Sequence, residues 1–174
     1  MKNTVSLIIL LVSSSLLYGQ VIIGSGKTAP TTSSVSLEFG TEQKGLVLPW
    51  VTGKDDVVTA GVVDGTLVFD AYDHKVYLRA ANVWEDLTVE TNGAADLTLQ
   101  NGAAEKADAK VSIGAPTPTP GILVLEESNK GMVLPLVTSY KNISSPAAGM
   151  IVYDTTEDLF CVFNGTQWSF WRGT

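Results

Sequence analysis

The chain has 174 residues, a net charge of −7 and 45% hydrophobic residues, enough for one core or two small ones. Its 11 Lys and Arg form no basic cluster against 18 Asp and Glu, which argues against nucleic acid and anionic membrane surfaces as partners. The lone cysteine, Cys161, cannot make an intrachain disulfide, and within Leu159-Phe160-Cys161-Val162-Phe163 it reads as a small buried hydrophobe.

Residues 1–19 read as a Sec-type secretory signal peptide. Lys2 supplies the positive start, Val5 to Leu17 the apolar run, and Gly19 the small residue before the cut. That run is shorter than the roughly 20 residues a spanning helix needs, so no membrane insertion is expected after cleavage. Losing Lys2 takes the net charge from −7 to −8.

The mature chain would open with VIIGSGKTAPTT, in which Gly24-Ser25-Gly26-Lys27-Thr28 resembles a phosphate-binding loop. The spacing G-x-x-x-x-G-K-[ST] fails, because Val21 stands where the first glycine belongs. Pro30 and the Thr/Ser cluster also disfavour the helix such a loop feeds.

A second copy explains the segment. Val21-Ile22-Ile23-Gly24 matches Val111-Ser112-Ile113-Gly114, and Lys44-Gly45-Leu46-Val47-Leu48-Pro49-Trp50-Val51-Thr52 matches Lys130-Gly131-Met132-Val133-Leu134-Pro135-Leu136-Val137-Thr138. Gly65-Thr66-Leu67-Val68-Phe69-Asp70 matches Gly149-Met150-Ile151-Val152-Tyr153-Asp154, and Trp84 stands opposite Trp168. The second V-x-I-G has no lysine after it, so a phosphate site is not the duplicated feature.

The fold expected is mainly β: two homologous, hairpin-rich, fibre-like modules, residues 20–87 and 111–174, joined by an Ala/Asn/Gly-rich connector, 88–110. In each copy V-x-I-G is a strand end and a Pro/Thr/Ser linker follows. Val35 to Phe39 and Ile122 to Leu125 are the next strands, and V-L-P-x-V-T is extended. The polar segments 53–64 and 139–148 have room for one helical turn. Hairpins follow, with turns at Ala71–His74 and Thr155–Asp158, and Asn164-Gly165 reads as a tight turn into the last strand. In the connector, Asn92-Gly93 and Asn101-Gly102 suggest a marginal hairpin, with Ala103 to Lys110 as a helical stretch or exposed link.

The string K-G-x-x-L-P-x-x-T, S-P-A-x-G-M-x-V-Y-D-T, F-x-x-x-N-G-T-x-W resembles a repeat of exported Bacteroidetes surface proteins and of their phages' tail fibres. Residues 111–171 match it well. Residues 21–87 match more loosely, lacking the Ser-Pro-Ala and the Asn-Gly-Thr. The resemblance implies β-rich, fibre-like or adhesin-associated modules, often trimeric, with no known chemistry. No type IX sorting domain follows the last strand, so the expected location is the periplasm or the cell surface, associated with the outer membrane.

No catalytic, metal or cofactor constellation stands out. His74 lies in an acidic turn that offers no buried carboxylate or nucleophile. Asp64, Asp70 and Asp73 read as solvated turn carboxylates, because they miss the spacing of a rigid calcium loop. The aromatics are the binding signal: Trp50, Trp84, Phe163, Trp168, Phe170 and Trp171 are the candidate interface. On the last strand Trp168 and Phe170 share one face and Trp171 the other, so one face is core and the other meets the neighbouring copy, another subunit or a partner. Stacking on sugar is the rival reading. Asp154-Thr155-Thr156 also fits a Bacteroidetes O-glycosylation pattern, with Thr155 as acceptor. The function expected is therefore a non-enzymatic exported structural or adaptor protein. It would bind a larger adhesin, motility or secretion assembly, and a homotrimer is one of its forms. A carbohydrate-binding module is the alternative.

Overall fold

A computed structural model describes residues 19–57, 62–98, 102 and 109–173. The signal-peptide reading, up to residue 18, and most of the 103–110 link lie outside them. The protein is mainly β, built from several small sheets. The first copy contributes β1 (Val21–Ile23), β2 (Val35–Phe39), β3 (Leu46–Val47), β4 (Trp50–Val51), β5 (Leu67–Asp70), β6 (Lys75–Ala80) and β7 (Val83–Asp86). The second contributes β8 (Val111–Ile113), β9 (Leu123–Leu125), β10 (Gly131–Met132), β11 (Leu136–Val137), β12 (Met150–Asp154), β13 (Leu159–Phe163) and β14 (Trp168–Trp171).

The two copies use the same local devices. β1 and β2 pair in parallel, as do β8 and β9. The glycine of each V-x-I-G has a positive φ, 110° at Gly24 and 106° at Gly114, a conformation that side chains avoid. This is the backbone reason for the motif. The expected helical turns are 3₁₀ turns at Lys54–Asp56 and Tyr140–Asn142. The order β4-β5-β6-β7 in one copy is repeated as β11-β12-β13-β14 in the other.

The extended V-L-P-x-V-T segment is cut in two at its proline, which has no N–H to give a ladder. Residues after the proline pair in parallel with the hairpin of their own copy, Trp50 with Phe69 and Leu136 with Tyr153. The proline carbonyls accept from Phe69 N and Tyr153 N, both at 2.9 Å.

Residues before the proline leave their own copy. β3 pairs antiparallel with β12 of the second copy, Val47 opposite Met150 and Leu46 opposite Ile151. β10 pairs in parallel with β2 of the first copy, Gly131 opposite Val35 and Met132 opposite Leu37. The copies are therefore stitched together as well as linked. Their shared core holds Leu48, Phe69, Ala71 and Val76 from the first and Ala148, Ile151 and Val162 from the second.

The hairpin expected within the connector is absent from its described residues, since 87–97 carry no strand. Their polar groups bond to the second copy instead: Ala94 N–H donates to Asn164 O at 3.0 Å and Val89 N–H to Ser169 Oγ at 2.9 Å.

Candidate assembly interface

Two glycines allow the copies to approach. A Cβ on Gly45 would fall within 3 Å of Met150 and Val152, and one on Gly149 within 3 Å of Phe69 Cβ. Trp50 crosses the seam: its ring packs on Phe69 with centroids 5.6 Å apart, and its indole N–H donates to Ala148 O at 2.8 Å. Gln43 Oε1 accepts from both Thr138 N and Thr138 Oγ1 at 3.0 Å. Buried apolar contact provides the drive for this seam, and the hydrogen bonds fix its register.

Beneath each hairpin lies a buried aspartate. Asp70 Oδ1 accepts from Tyr72 N at 2.9 Å and Asp73 N at 3.2 Å, and its Oδ2 accepts from Lys54 N at 2.7 Å. Asp154 repeats the pattern with Thr156 N, Glu157 N and Tyr140 N at 2.9, 3.0 and 3.0 Å. One carboxylate thus ties a hairpin turn to a 3₁₀ turn. This corrects the solvated-turn reading of Asp70, which is 2% exposed because three backbone donors replace its water.

His74 takes the fourth position of its turn with φ 59°, as Asp158 does at 55° in the other copy. Both residue types tolerate the left-handed region, which explains the histidine without chemistry. Among the described residues no group of three or more His, Cys, Asp or Glu is placed to hold a metal ion.

The aromatics separate by surroundings. Phe163 is buried, and Trp168 is half-buried against Phe163 and Tyr140 at centroid distances of 5.0 and 5.7 Å. Phe170, 39% exposed, also rests on Tyr140, at 4.8 Å. Trp171, 44% exposed, lies on the opposite face and donates from its indole N–H to Leu87 O at 3.1 Å. That face of β14 meets Leu87, the end of the first copy, and Val89 at the start of the connector. Trp84, on β7, is half-buried beneath Arg79, whose guanidinium carbon is 5.5 Å from the ring centroid. Thr155 is exposed at its turn, with its hydroxyl donating to Val137 O at 3.1 Å.

Two features escaped sequence reasoning. Asn164 is not the tip of a two-residue turn but a fully buried residue of a four-residue loop, with Gly165 at φ 100°. Its Oδ1 accepts from Thr166 N and Gln167 N at 3.0 and 2.8 Å, and its Nδ2 donates to Glu90 O at 3.2 Å. Asn164→Ala should release residues 87–97 and raise their cleavage rate in limited proteolysis roughly tenfold, leaving the β12–β13 hairpin protected.

The other is Glu38, 1% exposed, which bonds with Lys27 Nζ and with Thr31 Oγ1, and accepts from Thr31 N at 2.8 Å. The signal was present in GSGKTAPTT, whose lysine and threonine hold this carboxylate rather than a phosphate. Burial alone would raise the Glu38 pKa, but hydrogen bonds from Lys27 and Thr31 and the lysine charge outweigh it, bringing it down from 4.5 to about 2. A depressed carboxylate pKa stabilises the fold above the unfolded value, and that contribution fades as pH falls from about 5 toward 2. The difference in melting temperature between the wild type and Glu38→Gln should therefore be largest near neutrality and shrink across that window. In the second copy Glu126 is likewise brought to about 2, first by the Thr117 hydroxyl, with burial opposing and the Thr117 N–H and Lys110 assisting.

Residues 112–173 match the family model "Phage tail like trimerisation region". The match spans nearly all of the second copy and supports a structural, tail-fibre-like protein. No match was found among curated proteins or among solved structures.

Proposed function

We propose that the chain is a non-enzymatic, exported structural protein whose β copies assemble as a homotrimer within a larger surface structure of the adhesin, motility or secretion kind. The observation that carries this reading is the coincidence of the trimerisation-region match, residues 112–173, with the hairpin unit whose counterpart the chain also contains. The buried polar groups described above are occupied in positioning backbone, which suits a scaffold. Phe170 and Trp171 point to opposite faces of β14 and offer no common stacking platform, so sugar binding is not the reading favoured.

Light scattering on the chain from Gln20 onward should return three chain masses. A single chain mass at every concentration would overturn the trimer. Tagged chain recovered from solubilised outer membranes should bring a larger surface protein with it. Recovery from the soluble fraction alone would overturn the surface assignment.

A further inference from the structure

The contact between the copies has a direction. The K-G strand of the first copy, β3, lies on the hairpin strand β12 of the second, but the K-G strand of the second, β10, lies on β2 of the first and not on its hairpin. A head-to-tail contact of this kind does not saturate itself. Each end keeps the half that the other end has used. Among the described residues β9 is paired only with β8, β10 only with β2, and β3 only with β12. Among the described residues the start of β5, where Thr66 and Leu67 correspond to Met150 and Ile151, carries no strand beyond its own hairpin partner.

The glycines mark the same places. The neighbouring copy presses on Gly45 and Gly149, and at Gly149 this adds to a positive φ of 74°. Their counterparts Gly131 and Gly65 are exposed, with nothing among the described residues within 4 Å of a Cβ, and Gly65 has a positive φ of 93° that itself favours glycine. Gly131 does not have a positive φ, so nothing among the described residues explains the absence of a side chain there. Apolar side chains on and beside the strands concerned are exposed: Ile122 is 56% exposed, and Leu123 and Leu136 are each 40% exposed.

We infer that a second copy of this chain binds at these edges by repeating the in-chain contact, with its β3 added in parallel to β9 while β10 is added antiparallel to its β5. The register follows from the pairs already present. Val133 N–H donates to Leu37 O at 2.9 Å, so Val47 of the partner chain donates to Leu123 O. Val47 faces Met150, so Val133 faces Thr66 of the partner chain. Gly131 then lies under Thr66 and Val68 of the partner chain, and Gly65 of the partner chain on Tyr153, which lines a surface concavity with Thr156, Glu157 and Arg172. Gln43 caps Thr138, and Asn129 reaches Thr52 of the partner chain in the same way. Several side chains of the contact differ, Thr66 for Met150, Tyr153 for Phe69, Asn129 for Gln43, Asp64 for Ala148 and Leu136 for Trp50, and with the last of these the indole hydrogen bond is not repeated. Main-chain pairing supplies the contact, as in other strand additions at an open edge.

The inference rests on the homotrimer reading and specifies its contact, and cysteine pairs separate the two. Thr66→Cys with Val133→Cys in one chain should oxidise to covalent dimers and trimers on a non-reducing gel. Val47→Cys with Met150→Cys should close within one chain. A particle of three chain masses whose Thr66→Cys/Val133→Cys form makes no interchain bond would overturn this contact and leave the trimer standing. A monomer at every concentration would overturn both. An interchain bond in the Val47→Cys/Met150→Cys chain would overturn the template itself. Gly131→Val should weaken association at least tenfold with an unchanged far-ultraviolet circular dichroism spectrum, and unaltered association would also overturn the contact.

Discussion

Asp154→Ala is expected to lower the unfolding free energy by about 3 kcal/mol, read from denaturant melts at fixed protein concentration. The residue is fully buried, and removing its carboxylate leaves the N–H groups of Tyr140, Thr156 and Glu157 without acceptors. Each orphaned donor costs about 1 kcal/mol or more, so loss of three exceeds what a truncated side chain would cost alone. Asp154→Asn keeps one oxygen acceptor and should fall between the wild type and alanine. Burial by itself raises the Asp154 pKa, but the donors from Glu157, Tyr140 and Thr156 prevail and hold it below its ordinary value. Its contribution is therefore complete above the unfolded value of about 4 and is lost as pH falls below it. The gap between Asp154→Asn and the wild type should narrow in acid. Asp70→Ala should behave like Asp154→Ala in the first copy, because it holds the same three positions.

Gly149→Val should be as severe, at about 4 kcal/mol, whereas Gly65→Val should cost about 1 to 2 kcal/mol in the isolated chain. Both glycines have positive φ, 74° and 93°, so the backbone strain of a side chain is common to the two. Only Gly149 is pressed against a neighbour, since its Cβ would meet Phe69 Cβ and Cγ within about 3 Å. Phe69 is fully buried between the copies and cannot retreat. The difference between the two variants in thermal or denaturant melts measures the seam. Equal losses would mean that backbone conformation, and not packing between copies, is what both glycines serve.

The parts of this architecture with a local cause were legible in the sequence. The hairpins, the two 3₁₀ turns, the V-x-I-G strand ends and the duplication each follow from turn residues and β-branched runs a few positions long. The exchange of β3 and β10 between copies was not legible. Each strand is two residues long, too short to show a period, and each partner lies about a hundred residues away. Nothing in K-G-L-V or K-G-M-V states which of several equivalent edges it will take. Val35-Ser36-Leu37-Glu38-Phe39 alternates like a half-solvated strand, yet Ser36 and Glu38 are buried because β2 lies between β1 and β10 with the 25–34 linker nearby to satisfy Glu38. Asp70 and Asn164 misled for a related reason. Polar residues at turns are normally wet, and only the long-range path of the backbone brings these beneath other segments. Among the candidate interface residues, Trp50 and Trp171 both bond from one copy to the other, Trp50 to Ala148 O and Trp171 to Leu87 O.

The stitched strands also set the order in which the molecule can be made. β3 finds its place only on Met150 and Ile151, and the third strand of the first sheet arrives with Gly131 and Met132. At synthesis speeds of about 5–20 residues per second, β3 and the second edge of β2 must wait several seconds for the trailing half to supply their partners. Pairings across such sequence distances carry a high loop-closure cost, which slows folding and keeps unpaired edges open meanwhile. A chain stopped at residue 110 thus holds the strands of the β4-β5-β6-β7 sheet but leaves β3 and one edge of β2 without partners. Until those partners arrive, the open edges of the leading half are exposed to edge-to-edge aggregation.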